Sequence, residues 1–122
     1  MISKELLSEV LNIEIIDYSI DTSQVRINQL WHEDTPLNRE LELFNTIYGC
    51  MHSINIYELA HKCKEWAYSK HGYLLNSRRT FKTKYLLGYC EVVKDCEFYY
   101  SEYSNTEVEA IFKACQWILE NK

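Results

Sequence analysis

Two amphipathic helical stripes bracket a cluster of β-prone segments in this chain, and that arrangement narrows its fold more than any other feature. The first stripe is Ile56, Leu59, Ala60, Cys63, Trp66 and Ala67. Its spacing places all of them along one side of a helix. Asn55 reads as the N-cap, with Glu58 reaching back as the second half of a capping box and Ile54 and Leu59 as a hydrophobic staple. Lys70 and His71 suit the negative end of the helix dipole, and Gly72 supplies a left-handed stop. The second stripe is Val108, Ile111, Phe112, Cys115, Ile118 and Leu119, with Thr106 and Glu109 spaced as another capping box.

Between the stripes, Tyr73 to Ser77 predicts one strand. Phe81 to Val93 predicts a long second strand, with Phe81, Thr83, Tyr85, Leu87 and Tyr89 sharing a face. Lys94-Asp95 reads as a turn, and Glu97 to Tyr103 returns. Consecutive strands of this kind form an antiparallel meander. Upstream, Ser3 caps a helix running to Leu11, and Asn12 ends it. Ile13 to Ile20 alternates as a strand, and with Gln24 to Trp31 it predicts a hairpin across Asp21-Thr22-Ser23. Residues 32–52 carry two patterns at once. Thr35-Pro36 followed by Leu37, Leu41, Phe44 and Tyr48 predicts a short helix. The alternation Glu40-Leu41-Glu42-Leu43 fits a strand. The order α-β-β-(α)-α-β-β-β-α, with clustered strands and no βαβ alternation, predicts an α+β fold in which an antiparallel sheet is packed by amphipathic helices.

Only three glycines and one proline interrupt 122 residues. That leaves no linker and predicts one domain over residues 1–122. The charged start Met1-Ile2-Ser3-Lys4-Glu5 does not read as a signal peptide, and no run approaches a membrane span. The five cysteines, Cys50, Cys63, Cys90, Cys96 and Cys115, form no C-x-x-C pair. An odd, irregular set of this kind predicts reduced thiols and a cytoplasmic protein, with a Cys90–Cys96 bridge as the alternative.

Few catalytic chemistries fit these residues. Gly49, Gly72 and Gly88 are too far apart for a phosphate-cradling loop. Neither a serine-nucleophile elbow nor a cysteine-hydrolase motif is present. Cys50-x-His52 and His61-x-Cys63 resemble metal pairs, but His61 and Cys63 fall about 200° apart on a helix and cannot face one ion. No metal, no cofactor and no catalytic residue is therefore expected.

Charge is segregated. Residues 1–50 hold 3 basic and 9 acidic side chains, a net of −6; residues 51–96 hold 8 and 4, a net of +4; residues 97–122 hold 2 and 5, a net of −3. Within the basic part, Arg78, Arg79, Lys82 and Lys84 interleave with Phe81 and Tyr85. Cations beside aromatic rings can hold a nucleotide or a nucleic-acid backbone. On one continuous strand, however, Lys82 and Lys84 would face away from Phe81 and Tyr85, and exposed lysines also protect a sheet edge. Trp117 is the second candidate. It lies about 180° from its helix's apolar stripe, on the side of Ala110 and Ala114. That position reads either as packing within the domain or as a surface for a partner or for self-association into a homo-oligomer.

The runs Ile54-Asn55-Ile56-Tyr57-Glu58-Leu59-Ala60-His61-Lys62-Cys63-Lys64-Glu65-Trp66-Ala67 and Thr106-Glu107-Val108-Glu109-Ala110-Ile111-Phe112-Lys113-Ala114-Cys115-Gln116-Trp117-Ile118 resemble small phage and prophage proteins of the α–β–α sandwich type. The resemblance spans about residues 53–122. It implies a fold and a mobile-element origin, and no catalytic residue. Small acidic proteins of that origin act by stoichiometric binding to host machinery, as anti-CRISPR and other anti-defence inhibitors do. The resulting expectation is a non-enzymatic inhibitor of a host protein or ribonucleoprotein complex, with nucleotide or nucleic-acid binding through 78–84 as the alternative and no membrane partner.

Overall fold

Most of the helix boundaries follow from capping residues. The computed structural model describes residues 2–13, 15–21, 40–45 and 50–121. Helix α2 runs Ile56–His71; Asn55 is its N-cap, its side-chain oxygen accepting from the Tyr57 N–H at 2.8 Å. Gly72, at φ 74, closes it in the left-handed region, and the Tyr73 N–H returns to the Ala67 carbonyl. Helix α1 (Lys4–Leu11) is capped by Ser3, whose hydroxyl accepts from the Leu6 N–H and donates to Gln116 Oε1 at 2.8 Å, tying it to helix α3 (Glu107–Asn121). Asn12, at φ 55, ends α1 as expected. At the start of α3 only half of the expected capping box forms. Thr106 Oγ1 accepts from the Glu109 N–H, but the Glu109 carboxylate accepts from the Ser104 hydroxyl.

Among the described residues the strands make two three-stranded antiparallel sheets, β1 (Ile15–Asp21), β2 (Glu40–Asn45), β3 (Cys50–Asn55) and β4 (Leu74–Lys82), β5 (Tyr85–Lys94), β6 (Glu97–Ser104). The fold is α+β, as the order of elements predicts. The short helix expected within 32–52 is corrected where it is described: 40–45 and 50–55 are strands in register, Leu41 opposite Ile54 and Leu43 opposite His52. The two-residue alternation outweighs the helical spacing there, because β1 offers β2 a partner, Ile20 opposite Leu41. The strand expected over Gln24–Trp31 lies outside the described residues. So β1 pairs, among those described, with β2.

The core joins α1, α2, α3 and the helix-facing side of β4–β5–β6. Leu6, Leu7, Leu59, Cys63, Ala67, Cys90, Val92, Ala114, Cys115 and Ile118 are all fully buried. The predicted stripes are thus buried, save Leu119, which is half-buried. Burial pushes the Cys90 thiol up to about 12, and Cys115, which donates to the Cys63 carbonyl at 3.6 Å, is also raised, first by its contact with Cys63 and then by burial. Cys90 and Cys96 are both free, so the alternative bridge does not form; Cys96 sits exposed in the β5–β6 turn. Only Cys96 of these four should react with a maleimide in the native protein. Mass spectrometry after brief labelling checks this, and early modification of Cys63, Cys90 or Cys115 would show that the core opens readily.

A basic and aromatic arm as candidate binding surface

One strand of the meander is longer than expected and another shorter. The chain turns at Thr83-Lys84, later than the expected break between Ser77 and Phe81, so Arg78 and Arg79 belong to β4, and Phe81 pairs with Leu86 across the hairpin. No glycine or asparagine marks that turn. Thr83 takes it at φ 59, a costly conformation for a β-branched residue, which is why the sequence pattern reads straight through it. The next turn is likewise one residue later than expected, with Asp95 and Cys96 both at positive φ, as a two-residue hairpin of the primed type requires.

The corrected turn changes which residues share a face. β6 ends its pairing at Ser104 opposite Gly88, so residues 79–87 continue past it as a two-stranded arm. Phe81 is 70% exposed, Tyr85 60% and Leu86 41%. Residues 66–90 contain no Asp or Glu, whereas the arm carries Arg78 at its base and then Arg79, Lys82 and Lys84.

On the sheet face away from the helices, Arg78 lies over the Tyr89 ring at 4.7 Å and Lys82 over Tyr103 at 4.5 Å. Tyr89 and Tyr103 are themselves 4.9 Å apart. The expected separation of Lys82 from Tyr85 is also overturned, because the two stand opposite each other across the hairpin and so share a face. Tyr89 donates to Glu91 Oε2 at 2.9 Å; burial first, and that hydrogen bond next, raise its hydroxyl above the ordinary value and keep it a neutral donor. Tyr103 was missed as a candidate, because only the register of β4, β5 and β6 brings it beside the cations.

Lys84 lies at the tip, 5.5 Å from the Tyr85 ring. Arg79 points the opposite way from Arg78, to the helix side of the arm, where it borders a cleft beside α2 and α3. The adjacent arginines therefore serve two different surfaces. Among the described residues no group of His, Cys, Asp and Glu has a metal-binding arrangement, and no helix is long and apolar enough to cross a membrane. His61 is exposed and 2.9 Å from Glu65, while Cys63 is fully buried, the opposed placement that their helical spacing predicts.

No family model, no curated protein and no solved structure matches this chain. The site therefore stands on its geometry.

Trp117 does not join the arm. It stacks on Tyr100 of β6 at 5.2 Å and meets the edge of Tyr73 at 6.0 Å. Ala110 and Ala114, on the same side of α3, are fully buried. Trp117 thus packs within the fold, against a strand of the sheet.

Proposed function

We propose that this chain is a non-enzymatic binding protein of mobile-element origin that inhibits a host defence complex stoichiometrically, with the β4–β5 arm as its contact surface. The observation that supports this reading is the exposure of Phe81, Tyr85 and Leu86 beyond the helices. A two-stranded ribbon gains little stability from displaying such side chains to water. Exposed aromatic side chains near arginine are enriched among interface anchors, and a stretch without Asp or Glu over 66–90 suits an acidic partner. The phage-type helical stripes fit the same origin.

Tagged protein captured from host lysate, with and without nuclease, tests the proposal. A protein partner that survives nuclease, is lost with Phe81→Ser/Tyr85→Ser, and is inhibited to completion only near one equivalent is the expected result. Inhibition well below one equivalent would mean turnover and end this reading. The platform of Arg78, Tyr89, Tyr103 and Lys82 favours a second reading, a single-stranded nucleic acid stacked across the outer face. Its signature is loss of the partner on nuclease treatment, with a log–log salt slope of about −2 for Arg78, Lys82 and Lys84.

A further inference from the structure

Arg79 borders a cleft of about 330 Å³ between α2, the first turns of α3 and the inner side of β4. That volume lies at the small end of the range of small-molecule sites. Ala60, Val108 and Ile111 form an apolar floor, all three buried. Around it stand Tyr57, Lys64 and Arg79, with His61 on the rim. Glu107 is the one carboxylate in the lining, and its Oε2 accepts from the Ser77 hydroxyl at 2.7 Å. Lys64 and Arg79 together outweigh that single charge. The guanidinium carries five N–H donors in a planar fork, so it can hold a ligand oxygen beside its interactions within the protein.

We infer that this cleft binds a small organic anion, its charged head between Arg79 and Lys64 and its flat apolar body on Ala60, Val108 and Ile111. An apolar floor with two cations converging from different elements is the chemistry such a molecule needs: dispersion and burial for the body, charge-assisted hydrogen bonds for the head. The arm's outer face and tip have cations as well, but no enclosed apolar floor. The site is therefore separate from the surface proposed for the macromolecular partner.

The test is an NMR titration of the full chain with phenyl phosphate, benzoate and, as the neutral counterpart, benzyl alcohol. Saturable shifts of the Ala60, Lys64 and Val108 amides are expected with the two anions, and affinity for benzyl alcohol should be at least about tenfold weaker. The stronger of the two anions distinguishes a phosphate from a carboxylate head. Arg79→Gln and Lys64→Gln should each weaken the anion by about tenfold. Lys64 and Arg79 lie outside the core, so thermal melts of both variants should match the parent protein. Phe81→Ser/Tyr85→Ser should leave the titration unchanged while abolishing capture of the partner, which separates failure of this inference from failure of the proposed function. Equal affinity for benzyl alcohol, wild-type binding by the Arg79→Gln/Lys64→Gln double variant, or no saturable shift with either anion overturns the assignment.

Discussion

Replacing Gly88 by alanine should destabilise the protein by about 3 kcal/mol or more and lower its thermal midpoint by about 10 °C. Gly88 sits on the helix-facing side of β5, directly under the start of α3, and a Cβ there would overlap the Thr106 carbonyl and the Glu107 nitrogen. These are backbone atoms, so no side-chain rotation relieves the clash. Its φ is not positive, and the glycine is present for space alone. Nor can α3 slide away at little cost. The Thr106 carbonyl accepts from Ala110, and its hydroxyl caps the helix through the Glu109 N–H at 3.1 Å. Ser104, opposite Gly88 in the sheet, is tied to Glu109 at 3.1 Å. Urea denaturation of Gly88→Ala, with Leu87→Ala as a neighbour outside this contact, measures the effect. A loss below about 1 kcal/mol would show that the helix and sheet are not locked together at this point.

That contact shows why some of the molecule could be read from sequence and some could not. Helices α1, α2 and α3 were legible because their signals are local: a capping side chain, a stripe and a stop all lie within one segment, as at Asn55, the Ile56–Ala67 stripe and Gly72. Strand β2 was ambiguous because Leu41 fits both periods, with Leu43 at strand spacing and Phe44 at helical spacing, and pairing with β1 and β3, which is not local, decides between them. The arm was misread for a different reason. Its turn uses Thr83 in a conformation that residue seldom adopts, so Lys82 was assigned to the face opposite Tyr85, which it in fact shares. The cleft draws residues from α2, β4 and α3, and no spacing within one segment announces it.

Trp117 shows how two readings of one residue separate under measurement. Trp117→Ala should cost about 3 kcal/mol of stability and leave capture of a macromolecular partner intact once corrected for the unfolded fraction. The indole stacks on Tyr100 with an interplanar angle of 14° and meets Tyr73 edge-on at 73°. Aromatic pairs of this kind contribute beyond the area they bury. Tyr100 is itself fixed, donating to Glu102 Oε2 at 2.6 Å, and burial with that hydrogen bond pushes its hydroxyl up to about 12. Removing the half-buried indole would therefore strip Tyr100 and Tyr73 of their ring contacts between α3 and the sheet. A surface hot spot would behave in the reverse way, with stability within about 0.5 kcal/mol of the parent and partner binding lost. Phe81→Ser/Tyr85→Ser should give that reverse pattern, because those rings bury little surface within the fold. If Trp117→Ala behaves like the arm variant, the contact surface extends to α3 and the arm alone does not account for binding.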